Sequence, residues 1–151
     1  MPKNATKISK NTKETKEIAK MFLNEILNEK KKQKGALVVG LSGDLGAGKT
    51  AFVQAVAKHL GVKNKVKSPT FVIIKSYELK NKNYKKLFHL DAYRLKNEKE
   101  LLHLGWAEII NNKEHLVFIE WPENVSKSIP SSARFVQISH AKNEHRNFKL
   151  K

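Results

Sequence analysis

A chain of 151 residues with 40% apolar side chains suits one domain with one core and leaves no room for a second catalytic domain. It has no cysteine, which excludes a disulfide framework, a thiolate metal site and a thiol nucleophile. Its 30 basic and 14 acidic residues give a formal net charge of +16, and no uninterrupted apolar run approaches the roughly 20 residues that cross a bilayer. Lysine dominates the excess, because arginine occurs only at Arg94, Arg134 and Arg146. Two readings of that charge stay open: a face that attracts RNA or another polyanion, or the solvated surface of a lysine-biased proteome. The basic start from Met1 to Lys7 precedes no signal-type apolar core, so a soluble, cytoplasmic protein is expected.

In chain order, Thr6 to Ser9 reads as a short edge strand. Asn11 with Glu14 three residues later resembles a capping box, and Ile18, Ala19, Phe22, Leu23, Ile26 and Leu27 then share one helical face. Lys30-Lys31-Lys32 with Lys34 reads as a solvated turn. Ala36 to Leu41 is a short apolar run, as expected of a strand buried on both faces.

The next stretch, Gly43-Asp44-Leu45-Gly46-Ala47-Gly48-Lys49-Thr50, fits the phosphate-loop pattern G-x-x-x-x-G-K-[ST]. Backbone N–H groups can close around a phosphate only where side chains do not intrude, and Gly43, Gly46, Ala47 and Gly48 meet that need. Lys49 supplies a mobile positive charge, expected to face solvent in the empty site, and Thr50 a hydroxyl for a magnesium ion. Phe52, Val53, Val56, Ala57 and Leu60 follow at helical spacing, with Gly61 as a stop. Strand, glycine loop and helix N-terminus thus come in the order that binds phosphate.

Beyond Ser68-Pro69-Thr70, Phe71 to Leu79 and Tyr84 to Leu90 read as strands of a hairpin through Asn81-Lys82-Asn83, which makes the sheet mixed. Leu87-Phe88-His89-Leu90-Asp91 and Leu116-Val117-Phe118-Ile119-Glu120 are both apolar strands that end in a carboxylate. In open α/β sheets such ends line the ligand crevice, so Asp91 and Glu120 are candidates to hold magnesium or orient water. His89 reads as a packed, structural side chain. Glu98 to Ile110 is expected to be mainly helical with Glu108 at the surface, Arg134 to Ser139 a late strand, and Arg146 to Leu150 a last edge strand.

Four motifs in this order, Gly43 to Thr50, Ser68-Pro69-Thr70-Phe71, His89-Leu90-Asp91-Ala92-Tyr93-Arg94-Leu95 and Ile119-Glu120-Trp121-Pro122-Glu123, make the chain similar to the TsaE family. The resemblance covers the chain from Asn11 to Arg146. That family is the bacterial ATPase component of the machinery that makes threonylcarbamoyladenosine beside the anticodon of tRNAs reading codons that begin with A. The resemblance implies ATP on the loop from Asp44 to Thr50, Mg2+ held by Thr50 and Glu120, and Asp91 as the acid near the γ-phosphate. It implies a switch-like loop at Thr70, closure of the site by Trp121, and Thr12 and Arg146 beside the adenine. It also implies two partners, the threonylcarbamoyl-transferase subunit and its inactive homologous companion, and the basic excess leaves direct tRNA contact open. Trp106 stands where the family generally has a smaller residue.

The expected architecture is a P-loop NTPase-like three-layer α/β sandwich with a mixed, largely parallel sheet, and the expected reaction is ATP hydrolysis. A small P-loop kinase is the enzymatic alternative, although three arginines are few for clamping two phosphorylated substrates. A non-enzymatic ATP-sensing RNA-binding module is the other.

Overall fold

The computed structural model describes residues 5–28, 34–44, 46–63 and 73–151. The lysine run at 30–32, Leu45 and the segment with Thr70 lie outside the described residues. In chain order the elements are β1 (Ala5–Ser9), α1 (Thr12–Asn28), β2 (Leu37–Ser42), α2 (Lys49–His59), β3 (Ile74–Glu78), β4 (Lys86–Asp91), α3 (Glu98–His103), α4 (Trp106–Ile110), β5 (His115–Glu120), β6 (Arg134–His140) and β7 (Arg146–Leu150).

The strands form one seven-stranded sheet in the order β1-β7-β6-β2-β5-β4-β3. Its centre, β6-β2-β5-β4, is parallel, while β3 on one side and β7 and β1 on the other pair antiparallel. The sheet is therefore mixed, with the hairpin expected between β3 and β4 in place. One expectation is corrected: β7 is not an edge. The start of the chain returns to pair with it, from Ala5 opposite Leu150 to Ser9 opposite Arg146, so β1 takes the outside position.

Strand alternation sorts the core onto two faces. Leu37, Val39, Leu41, Leu116, Phe118, Val136, Ile138, Phe148 and Leu150 meet α1 and α2, whose Phe22, Leu23, Phe52, Val53 and Val56 are fully buried. Each such side chain contributes roughly 1.5–3 kcal/mol on leaving water. On the opposite face Val38, Val117, Ile119 and Leu90 meet Leu101, Trp106, Ile109 and Val125. Helices thus cover both faces, which gives the three layers read from the sequence.

Local chemistry places the helix ends. Asn11 Oδ1 accepts from the Glu14 N–H at 2.9 Å, and Glu14 Oε1 in return accepts from the Lys10 N–H at 2.8 Å. Asn97 and Glu100 repeat the device at the start of α3. The expected helix from Glu98 to Ile110 is broken into α3 and α4 at Gly105, whose φ of +87° is outside the helical region. The break turns Trp106 inward, where it is buried and donates from Nε1 to the Ser128 carbonyl at 3.0 Å. The bulkier residue there is therefore satisfied in its polar as well as its apolar part.

Candidate functional site

The site lies where the parallel strands end. β5 runs beside β2 with Glu120 opposite Leu41, and β4 runs beside β5 with Asp91 opposite Glu120. The loop that leaves β2 after Ser42 therefore emerges next to Glu120, with Asp91 one strand further away. Either strand could have been the neighbour on sequence grounds; the pairing puts the Glu120 strand there.

Gly43, Gly46 and Gly48 hold φ values of +148°, +77° and +109°. At Gly43 a Cβ would come within 2.3 Å of the Ile138 carbonyl oxygen on β6, so the loop can pass the sheet only without a side chain. Gly48 precedes the first residue of α2, and the helix begins where phosphate would meet its unpaired N–H groups. The Ala47 N–H donates to the Asp44 carbonyl at 3.0 Å, which closes the turn.

Lys49 departs from expectation. It is buried, not solvent-facing: its ammonium donates to the carbonyls of Gly43 and Asp44 and lies 4.4 Å from the centre of the Trp121 ring. The loop's own carbonyls take the charge. Burial pushes the Lys49 pKa down, opposed by the negative field of Glu120, Asp91, Glu123 and Asp44. On the other flank Arg146 Nη1 donates to the Gly46 carbonyl at 2.7 Å. The two cations brace the loop from opposite sides.

Thr50, in the first turn of α2, places Oγ1 3.3 Å from Glu120 Oε2. The same oxygen lies 2.6 Å from His89 Nε2, inside the protein. Asp91 is more open: its Oδ1 accepts the Tyr93 N–H at 2.9 Å. Partial burial raises its pKa, countered first by that hydrogen bond and reinforced by Glu120. Hydroxyl and carboxylate oxygens make a donor set that fits a hard divalent cation such as Mg2+. Among the described residues no three His, Cys, Asp or Glu side chains gather closely enough to hold a metal alone. A cation here would be shared with ligand phosphates, as Mg2+ commonly is.

Two cavities flank the start of α2. One, of about 440 Å³, is lined by Gly46, Lys49, Thr50, Asp91, Glu120 and Trp121, together with Tyr93 and Arg94. Trp121 has φ +59°, unusual for a residue with a side chain, and its ring packs on Tyr93 at 5.1 Å. The other, of about 380 Å³, is lined by Thr12 and Arg146 with Gly48 and Ala51. Lys49, Thr50, Asp91, Glu120 and Trp121 are thus brought together, and Thr12 and Arg146 join them round the other side of the loop.

The chain as a whole has relatives among known proteins. The model of the family described as threonylcarbamoyl adenosine biosynthesis protein TsaE matches residues 9–148. The chain belongs to the TsaE family. It is 40% identical over 112 residues to the tRNA threonylcarbamoyladenosine biosynthesis protein TsaE of Rickettsia typhi, covering 74% of this chain and 69% of that one. To its namesake in Bacillus subtilis it is 35% identical over 136 residues, 90% of this chain and 78% of the relative. The crystal structure of Bacillus subtilis YdiB superposes with a TM-score of 0.72 at 30% identity, covering 99% of this chain and 86% of the other.

Of the lining or contacting side chains, sequence reasoning about this TsaE chain assigned Tyr93 and Arg94 no role in the site and His89 only that of a packed residue. A signal for His89 was present. Residues two apart on a strand share a face, so His89 had to point to the same side as Asp91 and, by the β4–β5 register, as Glu120.

Proposed function

We propose that this chain is a single-domain, magnesium-dependent ATPase of the cytoplasm that serves threonylcarbamoyl modification of the adenosine beside the tRNA anticodon, hydrolysing ATP to cycle its transferase complex. The observation that carries the reading is the contact between Thr50 of the phosphate loop and Glu120 of the adjacent strand, with Lys49 and Asp91 lining the same cavity.

In this reading the N–H groups from Gly46 to Thr50 receive the phosphates, and Lys49 swings from the Gly43 and Asp44 carbonyls to the outer phosphate oxygens. Thr50 and Glu120 would hold magnesium, which would supply positive charge to offset that of the phosphates. Asp91, more basic than an ordinary carboxylate because of its burial, accepts a hydrogen bond from the attacking water and orients it. That water's oxygen bonds to the γ-phosphorus as the bond to the ADP oxygen breaks, and its proton leaves on Asp91 or the released phosphate. Trp121 and Tyr93 limit bulk water at the γ-phosphate end. Adenine occupies the cavity of Thr12 and Arg146. Thr70 and Leu45 complete the switch and the phosphate loop.

The partners in this cycle are the threonylcarbamoyl-transferase subunit and its inactive homologous companion, and the net charge of +16 supports direct tRNA contact as well. Product analysis tests the reaction. ATP with magnesium should give ADP and free phosphate, and a phosphorylated acceptor from a panel of candidates would replace hydrolysis with kinase chemistry. Depletion in cells tests the role: tRNA should lose threonylcarbamoyladenosine by mass spectrometry of nucleosides, and Lys49→Ala should fail to restore it. A normal level, with no second copy of the gene, would overturn the assignment.

A further inference from the structure

His89, on β4, is fully buried, and one of its two ring nitrogens lies 2.6 Å from Glu120 Oε2. The other, Nδ1, is buried and has no hydrogen-bond partner. A carboxylate can only accept, so the proton of the pair sits on Nε2 of the ring, and Nδ1 is the bare nitrogen. The arrangement therefore selects the tautomer that donates to Glu120.

The direction of that donation matters. Phe118, Leu116 and Leu87 share the face of the sheet on which His89 and Glu120 lie, so the carboxylate's inner side is otherwise walled by apolar groups. On the open side it meets Thr50 Oγ1. An unsupported carboxylate here has an attractive alternative, because the Lys49 ammonium lines the same cavity. We propose that His89 is a positioning residue: by donating from Nε2 it fixes the Glu120 carboxylate towards Thr50 and the phosphate loop, in the orientation that holds the divalent cation of the nucleotide. The role rests on the ATPase reading for its ligand and goes beyond it in assigning His89. A side chain that merely filled space would need neither the 2.6 Å contact nor a nitrogen at the depth of Nε2.

The test separates reach from volume. His89→Phe keeps the ring and removes the donor; His89→Gln places an amide nitrogen near the position of Nε2; His89→Asn reaches only as far as Nδ1. Mn2+ affinity in the presence of ADP, read by electron paramagnetic resonance, should fall by about tenfold to a hundredfold in His89→Phe and His89→Asn. His89→Gln should recover most of the loss, while ADP affinity without metal stays at the wild-type value in all three. Should His89→Phe not fold, the Gln and Asn pair carries the comparison. Wild-type Mn2+ affinity in His89→Phe, or in His89→Asn, would overturn the role, as would a His89→Gln protein as weak as His89→Asn. A wild-type protein that binds Mn2+ and ADP but releases no phosphate from ATP would instead overturn hydrolysis and leave the positioning role standing.

Discussion

Lys49→Met is the most informative single change, because the side chain is buried. Alanine would open a cavity as well as remove the charge, whereas methionine keeps most of the stem against Trp121. A hydrogen bond to a charged group is worth about 1.5–3 kcal/mol, which at about 1.4 kcal/mol per tenfold gives roughly a tenfold to 150-fold loss of nucleotide affinity. The lower part of that range is expected. To reach a phosphate, Lys49 must first leave the Gly43 and Asp44 carbonyls and the Trp121 ring, which offsets part of the gain. Turnover should fall further than affinity, since charge on the outer phosphate oxygens grows in the transition state. The same substitution carries a stability signature. Burial lowers the folded-state pKa of Lys49 below 10.5, so between the two values the unfolded chain binds more protons and wild-type stability rises with pH. Methionine has no such term. The melting temperature of Lys49→Met relative to wild type should therefore decline as pH is raised from 7 towards 10.5. Calorimetric titration with ADP, phosphate release and thermal melts across pH check the three parts. Unchanged ADP affinity and turnover would refute the site, and a difference in melting temperature independent of pH would refute the buried-charge argument.

Asp91→Asn should lose turnover yet melt at a higher temperature than wild type at pH 7. The folded-state pKa of Asp91 is raised above 3.8 by burial, so the wild type loses stability as pH rises through that folded value, and the advantage of Asn should vanish below pH 3.8 in thermal melts. Glu120→Ala should raise the magnesium concentration needed for tight nucleotide binding, while Asp91→Ala should not; titrations at graded magnesium check this, and the opposite result would exchange the two roles. Gly43→Ala should destabilise the protein by about 1–3 kcal/mol in denaturant unfolding, because its Cβ would meet the Ile138 carbonyl oxygen on β6. Addition of ATP should alter the fluorescence of Trp121 as Lys49 leaves its ring, so the change should survive Trp106→Phe and disappear in Trp121→Phe.

The phosphate loop was legible because its requirements are local: glycines where φ is positive, a lysine and a hydroxyl at the start of a helix, and an apolar strand before it. The amphipathic face of α1 and its cap were legible for the same reason. What could not be read was set by partners distant in the chain. That β5 enters between β2 and β4 decides which acid meets Thr50, and no local pattern states it. That β7 is covered by β1 depends on pairing across nearly the whole sequence. Lys49 was misjudged because its partners are the backbone carbonyls of its own loop, a conformation that residue types do not announce. His89 was placed correctly as a packed residue, but packing was only half of its environment.

A proposed cycle driven by ATP needs the two nucleotide states to differ where a partner can feel it, because a ligand shifts an equilibrium only through differential interaction. The structure limits where that difference can arise. Lys49 is the one loop side chain that touches both the phosphate-binding backbone and Trp121 among the described contacts, and Trp121 in turn packs on Tyr93, a residue that is 47% exposed. Trp121 also holds a left-handed backbone conformation, which costs a non-glycine residue on the order of 1 kcal/mol or more and persists only while its surroundings enforce it. In the proposed cycle, withdrawal of the Lys49 ammonium towards a γ-phosphate would remove one of those surroundings. The Trp121–Tyr93 pair would then be a direct route from the presence of a third phosphate to a change at the surface, and the hydrolysis product, lacking that phosphate, would let Lys49 return.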